Sequence, residues 1–93
     1  MSFAIAHDAM QRRFETTVEG ARCTLDYELD GNTMTITHVL VPDAVSGRGI
    51  AAALTEAALV HARSAGWRVI AQCPYADAYV RRHPGWSDVV ARS

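Results

Sequence analysis

The sequence predicts an α/β fold with a mixed sheet: an antiparallel N-terminal meander, a β-α-β crossover, and short C-terminal helices. Three observations predict it. Apolar and polar residues alternate with period two through most of the chain before Pro42, the pattern of strands with one buried face. Residues 49–65 are nearly all good helix formers, with apolar side chains at helical spacing. A short apolar run, residues 67–73, comes next.

The elements follow in order. Phe14, Thr16 and Val18 alternate with Glu15, Thr17 and Glu19, and Gly20 breaks the run. Cys23, Leu25, Tyr27 and Leu29 then alternate with Arg22, Thr24, Asp26, Glu28 and Asp30. Asp30, Gly31 and Asn32 read as a tight hairpin turn. The third run, residues 33–41, places Met34, Ile36 and His38 on one face and Thr35, Thr37, Val39 and Val41 on the other. A short extra strand is expected near residues 3–6. Pro42 ends the meander, because it has no N–H for a ladder. In the helix that follows, Ile50, Leu54, Ala57, Ala58, His61 and Ala62 share one face, and Gly66 sits where a C-cap belongs. A second helix is expected over residues 76–82, ended by His83, Pro84 and Gly85, with a last helical turn within residues 86–91. A strand, a glycine turn, a helix and a strand make a crossover, so the last strand should run parallel to the one before the turn.

With 93 residues the chain is expected to form one domain over residues 1–93. Hydrophobic residues make up 49% and charged residues 20%, which argues against whole-chain disorder. A formal net charge of −1 gives no field that would draw it to nucleic acid or an anionic membrane. No apolar run reaches the length of a membrane span, and the N-terminus lacks the features of a signal peptide. Cys23 and Cys73 show no metal spacing. The expectation is a cytoplasmic protein with two reduced thiols. His7, His61 and His83 do not form a metal spacing on one face, so no metal is expected. The sequence leaves oligomeric state unread.

The chemistry is concentrated where the meander meets the helix. Ser46, Gly47, Arg48, Gly49, Ile50 and Ala51 form a strand-to-helix turn. The first N–H groups of a helix have no internal partner and lie at the positive end of its dipole. Glycines admit a ligand to the backbone, and Arg48 adds a cation. The product suits a pyrophosphate. Gly-x-Gly by itself is a weak signal, and the other reading is a plain strand-to-helix turn. It is not a Walker motif, since no Gly-Lys-Ser/Thr follows, nor the dinucleotide fingerprint, since the third glycine is missing.

Residues 36–42 (Ile-Thr-His-Val-Leu-Val-Pro), residues 46–51 (Ser-Gly-Arg-Gly-Ile-Ala), then Ala53, Leu54, Ala57, Ala58 and Leu59, resemble the core of the Gcn5-related N-acetyltransferases. Cys73-Pro74-Tyr75, with residues 78–86, resembles the minimal branch of that superfamily, about 90 residues long. The resemblance implies acetyl-CoA as co-substrate, lying in a splay between the strand ending near Val41 and the strand from Trp67. The pyrophosphate would meet the amides of residues 47–51, and the pantetheine would run along Val39 and Val41. An amine, on a small molecule or a protein, would accept the acetyl group. Two departures stand out. Ser46 occupies a position where the superfamily usually has Arg or Gln; it keeps a hydroxyl and an N-cap role. Leu40 occupies a position where the minimal branch usually has Glu, which removes a carboxylate base.

Acyl transfer needs a deprotonated amine and a thioester held beside it. His38 is the candidate base; the other reading is a core histidine. Cys73 matches a cysteine suspected of acting in the branch's catalysis, either as a nucleophile with His38 as its base or as a small buried hydrophobe. Tyr75 and Tyr79 either contact the cofactor arm and protonate its thiolate, or simply pack. A non-catalytic acyl-CoA-binding module is the alternative function, favoured by Ser46 and Leu40. Nucleic-acid binding through Arg12, Arg13, Arg81 and Arg82 is disfavoured by the net charge.

Overall fold

A computed structural model describes residues 3–91. Its elements are β1 (Ala6–Asp8), β2 (Arg13–Val18), β3 (Ala21–Asp30), β4 (Thr33–Leu40), α1 (Ile50–Ala65), β5 (Arg68–Ala71) and α2 (Pro74–Arg82), with single 3-10 turns at Asp43–Val45 and Pro84–Trp86. The five strands lie in sequence order in one sheet. The first four pair antiparallel, and β4 pairs with β5 in parallel. This is the mixed α/β architecture that the alternation and the crossover predict.

Tight turns set the meander. Glu19 and Gly20 link β2 to β3 with φ of +50° and +79°, the two left-handed positions that a two-residue hairpin of matching twist requires. Gly31, at φ +60°, opens the next turn. The first strand forms at Ala6–Asp8, not at residues 3–6, and pairs Ala6 with Glu15 and Asp8 with Arg13. Asp8 fixes that register: its carboxylate accepts the Gln11 N–H at 3.1 Å and closes the turn into β2. Phe3 and Ile5 pack against the core instead.

The largest correction lies in β4. The register passes from Tyr27 opposite Ile36 to Asp26 opposite His38, so Thr37 is an extra residue, a β-bulge. The Thr37 hydroxyl donates to the Asp26 carbonyl at 3.3 Å. One extra residue exchanges the faces of all that follow. Met34 and Ile36 are buried, Val39 and Val41 pack on the same core, and His38 and Leu40 are exposed. His38 therefore does not share a face with Met34 and Ile36.

α1 buries Ile50, Leu54, Thr55, Ala58, Leu59 and Ala62 and packs on β2, β3, β4 and β5. It ends at Gly66, whose φ of +78° lets Trp67 N–H reach back to the Ala62 carbonyl at 2.8 Å. α2 begins at Pro74, two residues earlier than expected, because proline fits the first helical position. It packs on α1, β4 and β5. Both helices thus serve one sheet face, where Leu25, Met34, Ile36, Leu54, Leu59 and Val69 are fully buried, each contributing about 1.5–3 kcal/mol. The other face carries the exposed Arg22, Glu28, His38, Leu40, Arg68 and Ile70. Residues 86–90 form one hydrogen-bonded turn, in which the Trp86 carbonyl accepts the N–H groups of Val89 at 2.9 Å and Val90 at 3.1 Å, and then return to an extended path. Val69 N–H donates to the Val89 carbonyl at 3.0 Å and Ala91 N–H to the Val69 carbonyl at 2.7 Å, so the β-branched Val89 and Val90 run along the outer edge of β5. Among the described residues, no helix is long and apolar enough to cross a membrane.

Candidate active site

Pairing between β4 and β5 runs from Thr33 opposite Arg68 to Ile36 opposite Ala71. The Ile36 carbonyl then accepts two N–H groups, from Gln72 at 3.2 Å and Cys73 at 3.0 Å. Beyond this vertex the chain from β5 turns away into α2, while β4 continues to Leu40 with β3 as its partner. Among the described residues, no backbone bond from the β5 side reaches β4 past Ile36. The opening leaves a strand edge that an extended, amide-bearing ligand can join as an added strand.

At the mouth of this opening lies the glycine turn. Gly47 and Gly49 have φ of +79° and +80°. A Cβ at either would meet nothing within 4 Å, so backbone conformation, not crowding, is what calls for glycine here. Val45 and Ile50, both buried, anchor the turn on either side. Gly49, not Ser46, is the N-cap of α1, and its carbonyl accepts the Ala53 N–H at 3.0 Å. The Ser46 hydroxyl donates to the Asp43 carbonyl at 3.0 Å, because residue 46 closes the 3-10 turn and lies three residues ahead of the cap. No side chain caps α1 and no acid stands in its first turn, so its leading N–H groups remain available to an anion. Arg48 is not a free cation. Its guanidinium pairs with Glu19 at the tip of the β2–β3 hairpin. That bond raises the Arg48 pKa and holds the Glu19 carboxyl below its ordinary value.

The structure brings some of the expected residues together and separates others. Val39 and Val41 line the inner side of the strand leading to the turn. Ile50 is buried and Ala51 half-buried at the start of α1. Cys73 stands at the vertex as the N-cap of α2, only 8% exposed. Tyr75 and Tyr79 follow on α2, with ring centroids 6.4 Å apart. Tyr75 is partly exposed and Tyr79 buried. Burial raises the pKa of both phenols; Arg82 opposes this at Tyr75, whereas Glu56 and Tyr75 add to it at Tyr79. His38 makes no hydrogen bond to Cys73 among the described residues: it lies on the uncovered sheet face, while Cys73 belongs to the core.

Two features escaped the sequence reading. One is the Glu19–Arg48 pair, which spans 29 positions and carries no local signal. The other is an aromatic cluster of His7, Phe14, Tyr27, His61 and Trp67, at which the buried faces of β2, β3 and α1 gave only a hint. Two clefts lie apart from the splay. One, of about 580 Å³, is lined by Phe3, Ile5, Phe14, Val60 and His61 among others; the second, of about 500 Å³, includes Val80, Pro84 and Val90. Among the described residues no group of three or more His, Cys, Asp or Glu is placed to hold a metal ion.

Comparison with known proteins gives this geometry its context. The sequence profile described as GCN5-related N-acetyl-transferase matches residues 13–89, which include every strand but β1, both helices and the whole splay. The chain belongs to the GCN5-related N-acetyltransferase family. Acetyl transfer from acetyl-CoA is the general activity of that family. Among curated relatives, the protein NATD1 of Xenopus tropicalis is 35% identical over 86 residues, covering 89% of this chain and 79% of the relative. The human NATD1 is 35% identical over 83 residues, covering 86% and 74%. A GCN5-like protein from Staphylococcus aureus, solved by NMR, superposes with a TM-score of 0.78 over 99% of this chain and 91% of that one, at 24% identity. At that identity the superposition supports the N-acetyltransferase fold alone.

Proposed function

We propose that this chain is a single-domain N-acetyltransferase that binds acetyl-CoA in the β4–β5 splay and passes the acetyl group to an amine. The observation that carries the reading is the parting of β4 from β5 at Ile36 and Cys73, with the uncapped N-terminus of α1 at its mouth. The residues present suit the cofactor. The amides of residues 47–51 and the Arg48 guanidinium take the pyrophosphate. The free edge of β4 at Val39 and Val41 takes the amide-bearing arm, and the thioester comes to rest beside Cys73.

Direct transfer fits the placement of the side chains better than a cysteinyl intermediate, since Cys73 has no hydrogen-bonded base among the described residues. The acceptor approaches from the uncovered face, where His38 stands exposed. His38 takes a proton from the amine as its nitrogen attacks the thioester carbonyl. The carbon–sulfur bond breaks, and the Tyr75 phenol, whose pKa partial burial raises, returns a proton to the leaving thiolate. A second reading, an acyl-CoA-binding module without turnover, is favoured by Leu40, which is 60% exposed and places no carboxylate near His38.

Calorimetric titration with acetyl-CoA and CoA, on wild type and Ser46→Glu, tests the binding step. Ser46 is exposed and in ordinary extended conformation, so glutamate adds a charge at the turn without straining it. Saturable binding that the glutamate weakens supports the site. No binding at millimolar cofactor overturns it. Release of CoA thiol across a panel of amines then separates the transferase from the binding module.

A further inference from the structure

The cation that the turn presents to an anion is already held by a carboxylate of the same chain. Arg48 is the only basic residue between positions 42 and 60, so the turn has no second basic side chain of its own to offer. Its partner Glu19 projects from a two-residue hairpin with both central φ angles positive, a loop too short to swing aside. The carboxylate is therefore delivered to the turn from a fixed base. Both side chains keep contact with water, at 41% exposure for Arg48 and 65% for Glu19, so the pair is of the kind that a stronger anion can part.

We propose that Glu19 is a built-in competitor at the anion site: it neutralises Arg48 in the free protein, and the cofactor's phosphates displace it on binding. The inference rests on the acetyl-CoA reading above. It makes Glu19 a residue that sets cofactor affinity, although it lies on neither the glycine turn nor the splay. A ligand with one weak negative charge cannot displace it as a pyrophosphate can, so the pair favours highly charged acyl carriers.

The test is calorimetric titration of CoA at low salt into wild type, Glu19→Gln, Glu19→Asn, Arg48→Gln and the Glu19→Gln/Arg48→Gln double variant. Asparagine tolerates the left-handed position well, so at least one variant keeps the hairpin. Both Glu19 variants should bind about two- to fivefold tighter than wild type, the range set by parting one exposed ion pair. The gain should shrink as salt is raised and vanish when Arg48 is glutamine. If wild type binds and the Glu19 variants bind equally or more weakly, the carboxylate does not compete and the proposal is wrong. A gain that persists without Arg48 also overturns it. No binding by any variant sinks the acetyl-CoA reading itself, and this inference with it.

Discussion

The Ile36 carbonyl accepts the backbone N–H of Cys73 at 3.0 Å, at the point where β4 and β5 part. This bond ties the thiol-bearing residue to the vertex of the splay while its side chain stays in the core. Under direct transfer Cys73→Ala should therefore lower kcat only modestly, by loosening the packing beside the thioester, with little change in the dissociation constant for CoA, whose phosphates are proposed to bind at the far end of the opening. The stability cost should be modest, about 1 kcal/mol for one small buried side chain. Intact-protein mass spectrometry after mixing with acetyl-CoA should show no acetylated chain. An acetyl adduct that Cys73→Ala abolishes would replace direct transfer by a covalent route.

The bulge at Thr37 makes His38 testable without disturbing the fold. An exposed strand position tolerates His38→Gln within about 0.5 kcal/mol, so thermal melts should barely move. Acetyl transfer should fall by about a hundredfold, the lower end of what a positioned base contributes. Leu40 is exposed on the same face. Leu40→Glu in the His38→Gln background should recover part of the lost rate by supplying a second base. If His38→Gln turns over as wild type does, His38 is not the base.

The sequence made the elements legible where periodicity was long and punctuation was strong. The 16-residue α1, its Gly66 stop and the parallel β5 all follow from pattern. It failed where one residue changes the count. Strict alternation puts His38 beside Ile36, and nothing in Thr35-Ile36-Thr37-His38 marks the inserted residue, since the bulge is fixed by pairing with Asp26 and Tyr27 on another strand. Ser46 looked like a helix cap because serine suits that role, but the 3-10 turn at Asp43–Val45 shifts the helix start to Gly49. For the site, the turn and Cys73 were readable because each is local. The Glu19–Arg48 pair was not, because a hairpin tip meets a loop only through the packed fold.

Gly66 tests the helix stop directly. Its φ is +78°, and a Cβ there would meet nothing within 4 Å. Gly66→Ala should cost about 1 kcal/mol from the left-handed backbone alone, a drop in Tm of about 4–8 °C for a domain of this size. Gly66→Asn should cost less, because asparagine enters that region more readily. Equal melting of Gly66→Ala and wild type would mean that the helix end shifts to absorb the change.

His7 predicts how stability depends on pH. It stacks on Phe14 with centroids 4.1 Å apart, shares a 2.6 Å hydrogen bond with the Tyr27 hydroxyl, and meets the His61 ring at 4.4 Å. Burial first, then the nearby His61, lower its pKa, against a smaller opposing pull from Asp8. In the unfolded chain the imidazole titrates near about 6.5. Between that value and the lower folded one the unfolded chain binds the extra proton, so stability falls as pH falls through this window. The contribution is complete above about pH 6.5 and levels off below the folded pKa. Urea midpoints measured from about pH 7.5 down to about pH 5 should fall for wild type and fall less steeply for His7→Gln, which keeps a polar group near Tyr27 and cannot titrate. Parallel pH profiles for the two proteins would show that the aromatic cluster does not couple His7 protonation to folding.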